Sequence, residues 1–233
     1  DNITGNVIIF NGSIYNYKDL KKKFFSNENL KSNTDTEIIL KLYSKFGLTF
    51  TDYIKGMFAI AIYDKNKNRI LIVRDRVGIK PLFYFANSNV FIFASEIKTL
   101  LKNTHIKKSI VLDEHEVVNF IAHRQLNGFS NTLIKNIKIL EPGNLVVYDL
   151  NNKKFKIHKY INEKKSEFKK NDDEFEKIFD ESINYHTITE HKKVACLLSG
   201  GLDSSLLSII LKNNLKNKEI HTFSSILNKP NAE

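Results

Sequence analysis

Cysteine is almost missing from this 233-residue chain, in which Cys196 stands alone. A single thiol excludes an internal disulfide framework and fits a reducing compartment, so a cytoplasmic location is expected. No apolar run reaches the roughly 18 residues that would span a bilayer, and the residues after Asp1 form no secretory signal pattern. Metal-binding spacings are lacking as well. His105, His115, His123, His158, His186, His191 and His221 form no His-Glu-x-x-His, and there is no Cys-x-x-Cys. No catalytic role is assigned to them. No internal repeat and no low-complexity tract is visible.

Basic charge is plentiful but not concentrated. A formal net charge of +10 raises the question of nucleic acid. Yet the lysines come in short groups, Lys21-Lys22-Lys23, Lys107-Lys108, Lys153-Lys154, Lys164-Lys165 and Lys169-Lys170, each among acidic or apolar neighbours. That distribution describes solvated surface rather than a nucleic-acid face. Neither a nucleic-acid nor a membrane partner is expected. An anionic small substrate suits the basic balance.

The apolar pattern predicts two parts. In the first, Val7-Ile8-Ile9-Phe10 reads as a buried strand ended by a turn at Asn11-Gly12-Ser13. Helices are predicted from Tyr17 to about Phe25 and from a cap at Thr34 or Asp35 to a stop at Gly47. Strands follow at 57–63, 69–74, 81–85 and 90–94, then helices at 95–101 and 111–122. A hairpin is predicted at 145–150 and 155–160 across Asn151-Asn152. The polar stretch 162–173 reads as a linker. After it, Phe175, Ile178, Phe179 and Ile183 mark one helix face. A buried strand at 194–198, a helix at 203–215 and a strand at 220–225 make a βαβ unit, hence a parallel sheet. The expected domains are 1–161, mostly antiparallel β with helices, and 174–233, the start of an α/β nucleotide-binding domain.

The strongest local signal is the run Leu198, Ser199, Gly200, Gly201, Leu202, Asp203, Ser204 and Ser205. A strand runs into glycines and hydroxyls, and a helix begins. The free amides of a first helical turn converge on one point, and the helix dipole favours negative charge there. Glycine lets a ligand approach the backbone, and Asp203 offers an oxygen ligand to Mg²⁺. No Gly-Lys-Ser/Thr follows, so this is not a Walker A loop. It resembles the pyrophosphate loop of enzymes that cleave ATP between its α and β phosphates. A capped helix start with a glycine turn is the plainer alternative.

The first part widens that resemblance. Asn11-Gly12-Ser13-Ile14-Tyr15-Asn16-Tyr17 resembles the Asn-Gly-Glu-Ile-Tyr-Asn segment of glutamine amidotransferases with an N-terminal nucleophile. Asp35, the Arg74–Tyr84 segment, Phe93-Ala94-Ser95-Glu96-Ile97-Lys98 and Leu140-Glu141-Pro142-Gly143 match further segments in order. With the Ser199–Ser205 loop, the whole chain resembles the glutamine-hydrolysing asparagine synthetases. The resemblance implies an Ntn-type glutaminase domain joined to an ATP-pyrophosphatase domain, with glutamine, ATP and aspartate as substrates. It implies an oxyanion hole made by Asn11 and Gly12, glutamine contacts from Asn11, Gly12, Ser13 and Asp35, and Ser225 in the nucleotide site. A homodimer is compatible with it. Taken alone, Asn11 reads as a turn residue and Asp35 as a helix cap.

Two residues depart from the pattern: Ser13 stands where the family usually has Glu, and Ile226 where it tends to have Gly. The family's nucleophilic cysteine has no counterpart here. Cys196 lies beside the phosphate loop and reads as a small buried hydrophobe. With Met57 as its only methionine, the chain is expected to be a piece of a longer protein that completes neither half-reaction. Two other readings stand beside this one. One is a relative that amidates a different acid, in a surface polysaccharide or a peptide product. The other is a degenerate relative that binds nucleotide without catalysis.

Overall fold

Strand β2 (Gly56–Asp64) alternates large and small side chains, and that alternation sets the layers around it. Phe58, Ile60 and Ile62 lie on one face, Ala59 and Ala61 on the other. The computed structural model describes residues 1, 3–32, 34–128, 130–161, 172–187 and 192–226. The chain divides into two compact units, Asp1–Lys165 and Ser166–Glu233.

The first unit begins with β1 (Val7–Ile14), α1 (Tyr17–Phe24) and α2 (Asp35–Phe46), then a 3-10 turn at Gly47–Asp52. Next come β2, β3 (Arg69–Arg74), β4 (Phe83–Ala86), β5 (Phe91–Ala94), α3 (Ile97–Leu100), α4 (Thr104–Lys107) and α5 (Glu114–His123). It closes with β6 (Ile137–Ile139), β7 (Asn144–Asp149) and β8 (Lys154–Lys159). One antiparallel sheet runs β1-β2-β3-β7-β8 and a smaller one β5-β4-β6.

The large side chains of β2 meet Ile38, Ile39, Leu42 and Tyr43 of α2 and Leu20 of α1. Its alanines leave room for Leu82, Tyr84 and Leu140 at the smaller sheet. Behind that sheet, Leu100 and Ile106 pack on Phe85 and Ile137. The order is helices, sheet, sheet, helices. Each fully buried Ile or Phe contributes about 1.5–3 kcal/mol. Within the helix-side core, Tyr43 Oη donates to Asp64 Oδ2 at 2.5 Å, and Arg69 Nη2 donates to Tyr43 Oη at 2.8 Å.

The second unit contains α6 (Asp172–His186), β9 (Lys193–Leu197), α7 (Leu202–Asn214) and β10 (Glu219–Phe223). β9 and β10 are parallel, from Lys193 opposite Glu219 to Leu197 opposite Phe223. Ile183, Cys196 and Leu211 form its core. Among the described residues no helix is long and apolar enough to cross a membrane.

The structure corrects several expectations. Asn11-Gly12-Ser13 is no turn: β1 continues through it to Ile14. Pairing with β2 outweighs the local turn preference. Thr34 does stand at the N-cap of α2, as expected, but its side chain makes no capping hydrogen bond. The helix predicted from Val111 begins at Glu114, because Asp113 caps it by accepting the Glu116 N–H at 3.4 Å. The strand predicted as buried at 194–198 is mostly exposed, with Leu197 at 80%, and only Cys196 is buried. Among the described residues that sheet has two strands, and only side chains of α6 and α7 and the residue after α7 pack on it. The predicted linker lies, except for residues 172 and 173, outside the described residues.

Candidate functional site

Two glycines bring β1 and β2 together where the first candidate residues sit. Gly12 has a φ of 155°, and a Cβ there would lie 2.1 Å from the Met57 carbonyl oxygen. A Cβ on Gly56 would lie 2.1 Å from the Ser13 carbonyl oxygen. No side chain fits at either place. Glycine at position 12 is therefore required by the strand pair itself.

The pleat then decides which way each amide points. In an antiparallel pair, residues alternate between bonding the partner strand and facing away from it. Tyr15 N–H donates to Lys55 C=O at 2.8 Å, so odd-numbered positions at this end of β1 face β2. Even-numbered ones face outward. Ile14 shows it directly, since its N–H donates to Asp35 Oδ2 at 3.0 Å, away from β2. Gly12, two residues earlier, has the same phase, and β1 is the last strand of its sheet among the described residues. The Gly12 N–H and the Asp35 carboxylate thus share one sheet edge, about 7 Å apart along the strand.

Asn11 joins this edge through its side chain. Its Nδ2 donates to Ser95 Oγ at 3.4 Å, which links β1 to the segment after β5. Ser13, opposite Met57, is half-buried. Asp35 opens α2, where a carboxylate interacts favourably with the helix dipole. In the first turn of α2, Glu37 accepts the N–H groups of Lys31 and Ser32 and the Ser32 hydroxyl from the segment before the helix. Partial desolvation works against its charge, but these bonds and Lys41 outweigh it and hold Glu37 below the usual carboxylate range. A cavity of about 700 Å³ lined by Val77, Phe83, Ile97, Phe120, Leu126 and Pro142 lies elsewhere and includes neither Gly12 nor Asp35.

In the second unit the loop between β9 and α7 is exposed, and its own hydroxyls fill part of it. Ser199 N–H donates to Ser204 Oγ at 3.3 Å, and Gly201 N–H to Ser199 Oγ at 3.4 Å. Ser204 Oγ donates back to Gly201 C=O at 3.1 Å. Gly200 needs its lack of a side chain for its φ of 85°, not for crowding, since a Cβ there would meet nothing within 4 Å. Leu202, Asp203 and Ser204 form the first turn of α7, whose amides have no intrahelical partner. Ser205 N–H begins the helical ladder on Gly201 C=O at 3.1 Å.

β10 brings its end to the same place. Leu198 N–H donates to Phe223 C=O at 2.8 Å, and Ser224 Oγ donates to Leu198 C=O at 2.6 Å. Ser225 follows at the carboxyl ends of the two parallel strands, level with Ser199 by the register. Asp203 is exposed, and no group of three His, Cys, Asp or Glu that could hold a metal exists among the described residues. One carboxylate fits a Mg²⁺ that a polyphosphate also holds, not a protein-only metal cage.

Residues 2–161 match the family model described as a glutamine amidotransferase domain, and residues 174–233 match the one described as asparagine synthase. The chain belongs to the glutamine amidotransferase domain family. A putative asparagine synthetase (glutamine-hydrolyzing) 2 of Methanocaldococcus jannaschii is 35% identical over 224 residues, which cover 94% of this chain and 42% of that protein. Asparagine synthetase (glutamine-hydrolyzing) 2 of Bacillus subtilis is 33% identical over 230 residues, covering 94% and 30%. The chain therefore spans less than half the length of these curated relatives. The solved glutamine phosphoribosylpyrophosphate amidotransferase of B. subtilis, complexed with ADP and GMP, is 15% identical. It covers 93% of this chain and 45% of its own, with a TM-score of 0.45.

Within the amidotransferase domain, the sequence places Asp75 only inside the matching Arg74–Tyr84 segment. In the structure Asp75 is fully buried and gathers backbone amides. Ser95 was quoted only as part of a matching segment, yet it touches Asn11. Val77, Ile79 and Lys80 are local partners that an aspartate before a turn can suggest, but the Phe58–Asp75 and Asn11–Ser95 contacts span 17 and 84 residues and leave no sequence pattern.

Proposed function

We propose that the whole protein is a glutamine-dependent, ATP-consuming amide synthetase acting on aspartate. The first unit releases ammonia from glutamine, leaving glutamate. The second activates the aspartate side-chain carboxylate as an acyl-adenylate and releases pyrophosphate. Ammonia then displaces AMP and asparagine forms. Coupling the two reactions supplies ammonia unprotonated, whereas free ammonia at neutral pH is mostly ammonium and no nucleophile.

The observation that carries this reading is the outward Gly12 N–H beside the Asp35 carboxylate on one strand edge. Glutamine has a carboxamide at one end and an α-ammonium at the other. The Gly12 N–H and the Asn11 side-chain amide are neutral donors fixed before reaction, suited to the oxyanion that forms when the carboxamide is attacked. Asp35 suits the α-ammonium through a charge-assisted hydrogen bond. Ser13 lines the strand between them.

The Leu198–Ser205 loop suits the pyrophosphate part of ATP. Phosphate oxygens would replace the hydroxyls that now occupy the Ser199 and Gly201 amides, and the first-turn amides of α7 would add further donors. Asp203 would supply one ligand to a Mg²⁺ carried by the nucleotide, which neutralises phosphate charge when bound. Ser225 stands at the strand ends, where nucleotides bind in open α/β sheets.

Pyrophosphate exchange in the full-length protein tests the acceptor. Aspartate should drive label from pyrophosphate into ATP, and other carboxylic acids should not. Exchange with a different acid, and none with aspartate, overturns this assignment.

A further inference from the structure

We propose that Asp75 is a positioning residue for the oxyanion edge, acting through the backbone of Phe58. This rests on the functional reading above and deepens it. β3 ends at Arg74, opposite Ala59. One more step in the same register sets Asp75 opposite Phe58, and half of the expected bond pair is there: Asp75 N–H donates to Phe58 C=O at 2.9 Å. The other half is replaced. Phe58 N–H donates to the Asp75 side chain, Oδ2, at 3.2 Å, instead of to its carbonyl. That carbonyl accepts Gly78 N–H at 3.2 Å and Gly143 N–H at 2.9 Å.

The carboxylate therefore ends the ladder in place of the main chain. It also accepts Lys80 N–H at 2.9 Å, Ile79 N–H at 2.9 Å and Val77 N–H at 3.2 Å. All four donors are backbone amides, and the side chain is fully buried. The chain can turn away at 76–80 while both backbone groups of Phe58 stay directed at position 75.

Phe58 is the residue opposite Gly12. With its N–H and C=O held toward β3, the pair is a non-hydrogen-bonded one, and Gly12 presents its own N–H outward. A slip of one residue would turn that N–H into the sheet. Asp75 fixes the phase of β2 at the point where the phase decides whether the oxyanion donor is free.

Asp75→Asn tests this in the full-length protein. The substitution keeps the shape but sets an NH₂ group against backbone donors. The kcat for glutamine hydrolysis should fall at least about tenfold, approaching the roughly 100- to 1000-fold that outright loss of an oxyanion donor costs. The KM for glutamine should rise as well, because Ile14 shares the phase of Gly12 and the same slip breaks its bond to Asp35. Gly78→Ala is the control. Its Cβ would lie 2.9 Å from Pro142 Cγ at a φ of 74°, which strains the 76–80 loop without touching the Phe58 bonds. It should lower Tm and spare kcat. If Gly78→Ala reproduces the kcat loss, or if Asp75→Asn lowers Tm alone, Asp75 only braces the loop and the proposal fails.

Amide hydrogen exchange on the wild-type full-length protein gives a second answer that needs neither folding of a variant nor glutaminase activity. The Gly12 amide should exchange as an open edge amide, and the Phe58 amide should be strongly protected. A protected Gly12 or an unprotected Phe58 overturns the proposal. If the wild-type full-length protein hydrolyses no glutamine but shows this exchange pattern, the functional reading fails and the backbone arrangement stands.

Discussion

The carboxylate of Asp35 accepts the backbone N–H of Ile14 at 3.0 Å, joining the start of α2 to the end of β1. One oxygen is used in this way, and among the described residues the other accepts a long bond of 3.5 Å from Thr36 Oγ1. A carboxylate held by the strand beside the Gly12 amide is a fixed anion at a fixed distance. Asp35→Asn in the full-length protein should therefore raise the KM for glutamine by roughly 10- to 100-fold, the effect of losing a hydrogen bond to a charge. Ammonia-dependent synthesis should stay unchanged. Steady-state kinetics with each nitrogen donor checks both statements, and an unaltered glutamine KM removes Asp35 from the site.

Gly12 is constrained by packing as well as by its proposed role. In Gly12→Ala the new methyl would overlap the Met57 carbonyl oxygen, so the strands must separate. A loss of about 2–4 kcal/mol of stability is expected, at the upper end for single substitutions. Thermal melts of the Asp1–Glu233 chain would measure it. A variant as stable as the parent would mean that β1 and β2 do not approach as described.

The buried group of Tyr43, Asp64 and Arg69 predicts an acid limb. Burial works against the Asp64 charge, but the Tyr43 hydroxyl, the Lys67 N–H and Arg69 outweigh it and hold Asp64 below its ordinary value. A carboxylate depressed in the folded state is protonated first in the unfolded chain. Its stabilisation is thus present above the unfolded value of about 4 and is lost as pH falls through the folded one. Tm should drop below about pH 4, and Asp64→Asn should give a lower Tm at neutral pH with a flatter acid limb. Parallel acid limbs in the two proteins would exclude Asp64 as a source.

For the loop of the second unit, pyrophosphate titration followed by NMR is the direct check. Amide resonances from Ser199 to Ser205 should move together, and those of Gly12 and Ile14 should not. Gly200→Val should weaken the effect at least about tenfold, because a β-branched residue at a φ of 85° costs about 1–3 kcal/mol. Equal shifts in both proteins would show that the loop conformation does not matter for binding.

Long periodic elements were legible in the sequence because their pattern and their packing agree. The apolar run behind Asp35 became α2, and the stretches around Asp64–Asn68 and Asn151-Asn152 became hairpins. Asn11-Gly12-Ser13 was misread because Asn-Gly is a turn signature, while this glycine answers to the Met57 carbonyl on another strand. β6, three residues long, gave no periodic signal at all. In the candidate site, residue types were legible but directions were not. The outward phase of Gly12 follows from the Ile14–Asp35 and Phe58–Asp75 bonds, which span 21 and 17 residues.

Nitrogen transfer in the intact protein bears on the whole account at once. Full-length protein incubated with amide-¹⁵N glutamine, aspartate and Mg-ATP should yield asparagine labelled in its side-chain amide, with AMP and pyrophosphate in equal amounts. Hydrolysis of ATP to ADP and phosphate, or label that never leaves glutamine, would contradict it.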